Sequence, residues 1–551
     1  MRRAFSVFLY LLNDQKSIMV DREKTLIRNL RDWKFKNPPN YAELPISEDP
    51  EYNVPVAVKN AVFSKVPTEP LIGKLHLVCA SEDAMKNILD LDPEVAETED
   101  FINFIAGKYL PDGGLTVCHR YGGYQFGYWA DQLGDGRAHI LGEYVNRNGE
   151  SWQPQLKGSG ETPYSRFGDG RAVLRSSIRE MIASEACYNL GIPTTRAAAL
   201  VVSDEHKVWR DKTYSGAARQ ERAAVVMRLA PAWYRLGSFE ILLKRKEPDT
   251  MRRLADFVIK HHFPSIMPDD PDKYVKWYSE VAYRNLDMVV TWQGLGFTHG
   301  VLNTDNISVL GLTIDYGPFG FLQHYYQHYV PNTSDDSGRY AYNKQPDIIL
   351  WNLEKFAEAL EPILTEKQKE KIKNLQPLLS DYVSKNVKQK YLSKLGLEEM
   401  RSGDDELLEK LFNLMQQTTS DFTATFRQLA EVKMSQLLDT TLLESKWSLT
   451  KMSKTSDWEK WVKMYQERLD DENVSDEERR KRMLKVNPMY VPSNWILQEA
   501  IADAEKNDFG KVQLLLKIFQ NPYDVNEEAE KLGYSSQPPS WSYGLKLSCS
   551  S

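Results

Sequence analysis

The chain has 551 residues, 42% hydrophobic, 27% charged and 11% aromatic, which excludes a wholly disordered protein and provides core material for roughly two to four structural units. Its 70 Lys and Arg against 77 Asp and Glu leave a net charge of −7, so no basic excess marks a nucleic-acid or acidic-membrane binder. The longest apolar stretch, Ala4 to Leu12, is about half of what a bilayer-spanning helix needs, and Cys79, Cys118, Cys187 and Cys549 form neither a disulfide framework nor a Cys-x-x-Cys metal spacing.

Residues 1–24 carry Arg2 and Arg3 ahead of an apolar and hydroxyl run with no acid before Asp14, the pattern of a targeting leader. Glycine-rich loops between short β-rich runs fill the chain to about residue 345, after which helical spacing such as Leu353, Phe356, Leu360 and Leu364 takes over. The charged run Gln466 to Arg482 reads as a solvated helix or loop. The end of the chain, with Ser535, Ser536, Pro538, Pro539 and Ser540, reads as an extended or mobile segment that could reach other parts of the molecule.

Three clusters carry chemistry. Gly134-Asp135-Gly136-Arg137 precedes a strand expected over 138–145, and its glycines let the backbone approach an anion; a hairpin turn is the commoner use of Gly-x-Gly, and His139 stands where a kinase glycine loop has its third glycine. Lys157 closes a short strand, and Glu180, 23 positions later, lies on a helix expected over 171–190 that Gly191 and Pro193 end. A strand lysine paired with a helix glutamate is how kinase-like folds aim an ammonium at nucleotide phosphates.

The third cluster is His299-Gly300-Val301-Leu302-Asn303-Thr304-Asp305-Asn306, followed by an apolar strand expected over 312–317 that holds Asp315-Tyr316-Gly317. It parallels the kinase His-Arg-Asp-x-x-x-x-Asn and Asp-Phe-Gly, which supply a base and two Mg²⁺ ligands. Asn306 and Asp315 are hard oxygen donors suited to that ion. Val301, however, occupies the position of the kinase base, and Asp305 is the one nearby carboxylate expected to replace it. The site is therefore either a pseudokinase or one that performs different chemistry on ATP. Arg228 ends a strand expected over 225–229 and Arg235 follows Pro231 in an expected helical turn; two such forks either hold a polyphosphate or are surface or ion-paired arginines.

Taken together, Tyr121 to Gly127, Leu156 to Arg166, Gly168 to Glu180, His299 to Asn306 and Leu312 to Gly320 resemble the selenoprotein O family, kinase-like proteins that transfer AMP to protein hydroxyls. The resemblance runs from the Leu26 region to the C-terminus. It implies an α/β (α+β), bilobal protein-kinase-like fold with a C-terminal helical extension. The divisions would be an N-lobe over 25–200, a C-lobe core over 201–345, the extension over 346–530 and a redox tail over 531–551. It makes Gly134, Gly136, Arg137, Lys157, Asp169, Gly170, Arg228 and Arg235 nucleotide contacts, Glu180 the partner of Lys157, Asp305 the base, and Asn306 and Asp315 the metal ligands.

ATP would be the substrate, inverted relative to kinases, with Mg²⁺ or Mn²⁺ as the ion, and proteins the acceptors. No nucleic-acid partner and no membrane span are expected, and the family implies a mitochondrial home. Animal members end in Cys-x-x-selenocysteine and a residue or two more. The chain's Cys549-Ser550-Ser551 is therefore expected to be a redox tail that continues past a selenocysteine codon read as a stop. Two other functions compete with AMP transfer: a nucleotide-binding pseudokinase scaffold, and an atypical phosphotransferase, since His299-Gly300 is also similar to the His-Gly-Asp of small-molecule kinases.

Overall fold

The runs Ala197–Val202 and Ala223–Ala230 are almost continuously apolar, the pattern of strands covered on both faces. In the computed structural model, which describes residues 25–48, 50, 56–211 and 216–545, they form the two longest strands of an eleven-stranded mixed sheet. The strands are β1 (Ile46–Ser47), β2 (Phe63–Lys65), β3 (Leu75–Ala80), β4 (Val117–Gln125), β5 (Tyr128–Gly134), β6 (Ala138–Ile140), β7 (Tyr144–Val145), β8 (Ser151–Lys157), β9 (Ala172–Val173), β10 (Arg196–Arg210) and β11 (Arg219–Ala230). Their order is β1-β2-β4-β6-β8-β11-β10-β3, with β5 on β4, β7 on β8 and β9 on β11. The leader 1–24 and Cys549 lie outside the described residues.

Side chains alternate across a strand, so β11 feeds two cores. Ala224, Val226 and Ala230 join Ile178, Met181 and Ile182 of the helix Leu174–Asn189. Ala223, Val225, Met227 and Leu229 face the opposite way, against Phe101, Phe104 and Trp33. The helices Gly237–Lys244, Pro248–His262 and Lys273–Leu295 extend the first core, and Gly296 ends the last of them in the left-handed conformation at φ 67°.

The architecture is the mixed α/β arrangement of a kinase-like fold with a helical C-terminal region. That region divides between two cores. Gln345–Leu360 and Glu366–Lys394 largely complete the first, as do Asn494–Ala504 and Gly510–Gln520, which return to the sheet; Arg222 Nη2 donates to Ala504 O at 2.6 Å and Gln513 Nε2 to Val78 O at 3.2 Å. The segment between them builds a second core around Leu411, Phe426, Trp461 and Met483. Among the described residues no helix is long and apolar enough to cross a membrane, and Cys79, Cys118 and Cys187 are buried free thiols.

Several local expectations are corrected. The stretch expected as one strand over 138–145 is broken at Gly142, φ 149°, into β6 and β7. The helix expected from residue 171 starts at Leu174, because Ala172 and Val173 pair with Ala224 and Ala223 of β11. Residues 312–317 are no strand: Thr313 alone bridges, to Thr194 and Ile307, and the chain turns at Gly311 and Asp315, φ 72° and 58°. Arg235 is extended and bridges Ser308, and the helix begins at Gly237.

The charged run 466–482 is not simply solvated either. Arg479 is fully buried and donates to Leu429 O and Val432 O, while Arg468 reaches Asp404 at 2.7 Å. As far as residue 545 the tail is docked rather than mobile. Trp447 Nε1 donates to Ser535 O at 3.2 Å, Gln323 Nε2 to Ser542 Oγ at 2.7 Å, and Tyr543 stacks on His324 with ring centroids 4.7 Å apart.

Candidate active site

The two-residue period of β8 puts Gln155 and Lys157 on one face, and the antiparallel register sets Arg228 of β11 opposite Gln155. Lys157 Nζ meets Glu180 Oε2 at 2.7 Å, the pairing expected from sequence. Arg228 Nη1 takes the other oxygen of Glu180 at 2.8 Å, and Gln155 Oε1 accepts from both Nε and Nη2 of Arg228. Across the cleft, Arg235 Nη2 lies 3.6 Å from Asp135 Oδ1. Each guanidinium also rests on a ring, Arg228 on Trp233 at 4.7 Å and Arg235 on Tyr121 at 4.5 Å. Both arginines are 1% exposed, so neither is a surface residue, while both are ion-paired, as the alternative to a phosphate clamp also expected.

These cations converge on Asp315. Its Oδ1 lies 2.5 Å from Arg228 Nη1 and 3.4 Å from Lys157 Nζ, and its Oδ2 lies 2.5 Å from Arg235 Nη1. Burial alone would raise the Asp315 carboxyl, but Arg235, Arg228 and Lys157 override it and hold the group well below the ordinary range. Aspartate is among the few residues that tolerate the left-handed backbone found here.

The loop His299–Asn306 is tied to this floor by His299, whose Nε2 lies 2.9 Å from Ile314 O while its Nδ1 accepts from the Val301 N–H at 3.3 Å. Burial lowers the imidazole, so it stays neutral in this role. Asn306 Nδ2 donates to Val301 O at 3.1 Å, which leaves its Oδ1 on the cleft side, 3.5 Å from the same Arg235 Nη1 that reaches Asp315. Two oxygen donors thus face one point, a set that fits a hard divalent cation completed by phosphate and water oxygens. Among the described residues no cluster of three or more His, Cys, Asp or Glu could hold a metal without such help.

Asp305 is 5% exposed and sits next to Asn306. Its Oδ2 accepts from Gln125 Nε2 at 3.3 Å, whereas Oδ1 has no hydrogen-bond partner. Burial raises its carboxyl to about 6, with Arg235 and the Gln125 bond opposing. The expectation that Asp305 is the one nearby carboxylate is corrected: Asp135 is equally buried in the same cleft, and burial likewise raises it to about 6 against the pull of Arg235 and Arg228. Asp135 is already committed, to the His119 N–H at 3.2 Å and Gln155 Nε2 at 3.1 Å, and so acts as an anchor for Arg235.

A cleft of about 960 Å³ is lined by every expected site residue among the described residues, and by Gln125 and Asp135. Gly134 and Gly136 flank Asp135 on its wall. Gly134 has φ 147°, and a Cβ there would meet the Tyr164 ring at 2.3 Å, so packing demands glycine. Arg137 reaches Arg171 O at 3.5 Å. Asp169 sits at the rim, paired with Arg210 at 2.7 Å, beside Gly170. Sequence reasoning missed Gln155, which the alternation through Lys157 would have found. It also missed Asp135 and Gln125, although one stands between the two glycines singled out and the other in the Tyr121–Gly127 phrase, and Glu240, whose Oε2 accepts from Thr304 Oγ1 and which nothing in its local sequence sets apart.

A model of the family described as protein adenylyltransferase SelO matches residues 56–520 of the chain. The chain belongs to that SelO family. Similar relatives are the protein nucleotidyltransferases YdiU of Flavobacterium johnsoniae, 40% identical over 517 residues (92% of this chain, 97% of that protein), and of Azoarcus sp., 40% over 503 (90% and 95%). The protein of the same name from Pseudomonas fluorescens is 40% identical over 494 residues, 89% of this chain and 96% of its own length. The SelO match spans the whole cleft, from Tyr121 through Ser334.

Proposed function

We propose that the chain is a protein adenylyltransferase, moving AMP from ATP to hydroxyl side chains of proteins with Mg²⁺ or Mn²⁺ as its ion. The observation that carries this reading is the buried Asp305 carboxyl, raised by burial to about 6, next to Asn306 in the cleft that Asp315 also lines and in a loop where Val301 replaces the kinase base. Membership of the SelO family supports it independently.

The buried cations Lys157, Arg228 and Arg235 bind the triphosphate at the cleft floor, and Glu180, Gln155 and Asp135 keep them aimed. Asn306 and Asp315 would hold the ion, which supplies charge neutralisation on the phosphate oxygens. The Asp305 carboxylate takes the proton of the acceptor hydroxyl. The hydroxyl oxygen bonds to the α-phosphorus, the bond from phosphorus to the α–β bridging oxygen breaks, and pyrophosphate leaves with its charge met by the arginines. A mitochondrial home and a redox-active Cys549 belong to the proposal on the strength of the resemblance, with the Arg2 and Arg3 leader as the one local support for the first.

The test is incubation with ATP labelled on the α- or the γ-phosphate, Mg²⁺ and a soluble protein extract as acceptor, with Asp305→Ala as the background control. Incorporation from α-label alone, lost in Asp305→Ala while ATP still binds, is expected. Incorporation from γ-label alone would show phosphotransfer, and incorporation from neither, with ATP bound, would show a scaffold.

A further inference from the structure

The helix Leu174–Asn189 brings a second charged group to the back of the site, Arg179, the neighbour of Glu180. Arg179 is 7% exposed. Burial draws its guanidinium down to about 10, and no carboxylate among the described residues pairs with it. A buried cation without a counter-charge is costly unless neutral acceptors satisfy it. Here Nη2 donates to Phe319 O at 2.7 Å, Nη1 donates to Asn494 Oδ1 at 3.0 Å, and the guanidinium lies 4.3 Å from the centre of the Phe319 ring. Both terminal nitrogens are thus committed to segments far away in the chain.

Phe319 follows Asp315 by four residues, in the turn that carries the expected metal ligand, and Asn494 opens the C-terminal helix Asn494–Ala504. The Asp315 carboxylate is gripped by Arg228, Arg235 and Lys157, the cations that bind the triphosphate in the proposed function. Once phosphate takes those cations, the turn must be held by contacts that do not involve that carboxylate. His299 Nε2 at Ile314 O and Thr194 Oγ1, 2.5 Å from the Tyr316 hydroxyl, hold its near side. Arg179 holds its far side. Because Arg179 and Glu180 share one helix, the group that aims Lys157 and Arg228 and the group that anchors the turn keep a fixed spacing.

We propose that Arg179 is a positioning residue for the Asp315 turn and that Asn494 locks it, so that the C-terminal extension completes the metal site from behind. This rests on the reading of Asp315 as a metal ligand. Neither Arg179 nor Asn494 lines the cleft, so both act through the backbone of residues 315–319, and their loss is felt in metal affinity rather than in nucleotide affinity.

The experiment uses the full chain with α,β-methylene-ATP, which cannot be cleaved between the α- and β-phosphates, and measures bound Mn²⁺ by electron paramagnetic resonance. Arg179→Met should weaken Mn²⁺ binding by about 10- to 100-fold and Asn494→Ala by about 10-fold, with the affinity for the analogue in a chelator unchanged. Aspartate keeps an acceptor for Nη1, so Asn494→Asp should bind Mn²⁺ close to wild type. Thermal midpoints show which variants fold; if Arg179→Met does not, the Asn494 variants decide, since that side chain is partly exposed. Wild-type Mn²⁺ affinity in Asn494→Ala, an equal loss of analogue affinity in the chelator, or an Asn494→Asp chain as weak as Asn494→Ala would overturn the proposal and leave AMP transfer standing. Mn²⁺ binding that survives Asp315→Ala would overturn the metal-ligand reading and the proposal together. The expected weakening in a chain whose wild type transfers no α-label from ATP would support the positioning role and refute AMP transfer alone.

Discussion

Asp315 Oδ2 lies 2.5 Å from Arg235 Nη1, so the carboxylate expected to hold a metal is itself held by a guanidinium expected to hold phosphate. Arg228 and Lys157 grip its other oxygen. The carboxylate thus occupies the place of an anion at the floor of the cleft, and a nucleotide must draw the three cations away from it.

Asp315→Ala is therefore expected to have two opposite effects. Divalent-dependent turnover should be abolished, because a metal ligand is lost. Binding of ATP without divalent ion should be at least as tight as in the wild type, because the internal anion no longer competes for Arg228 and Arg235. Calorimetric titration in a chelator measures the second effect, and a weaker affinity there would contradict it.

Lys157→Met should lower kcat/KM by about 100-fold, as removal of one preorganised donor to a reacting group does. The fold should survive, because Glu180 keeps Arg228 at 2.8 Å and is not left as a lone buried charge. The check is transfer rate alongside thermal midpoint; a chain that is inactive because it is unfolded would not fit.

Glu240 links the site to pH. Burial raises its carboxyl from 4.5 to about 8, the Thr304 bond opposes the rise and the charge of Asp305 adds to it. Between these two values the folded chain binds more protons at this position than the unfolded chain, so its stability falls as pH rises through that window. Glu240→Gln, with no proton to lose, should flatten this part of the profile. Urea midpoints for both proteins from pH 5 to 8 would decide, and parallel curves would refute the assignment.

Arg479 predicts a purely structural effect. Its guanidinium satisfies Leu429 O at 2.9 Å and Val432 O at 2.6 Å at the end of the helix Phe422–Glu431, and it pairs with Asp476 at 2.7 Å. Arg479→Ala should destabilise the chain by about 3 kcal/mol, since buried acceptors lose their donor. The KM for ATP should not move, because the residue lies in the second core, away from the cleft.

By itself the sequence determined which chemistry is present and where along the chain it lies. The alternation through Lys157, the helical stripe around Glu180, and Asn306 and Asp315 at kinase spacing are local patterns, and local periodicity is what sequence carries. Val301 in place of the base was equally plain. Only the tertiary structure decided that Arg228 and Arg235 are buried and converge on Asp315, since their burial depends on β8 lying beside β11 and on Arg235 bridging Ser308. The same holds for Asp135 and Gln125. They lie 100 and 180 positions from the side chains they meet, Arg235 and Asp305 respectively. No local pattern registers a contact of that separation; it exists because the sheet brings the β4–β5 hairpin and its following turn down onto the catalytic loop.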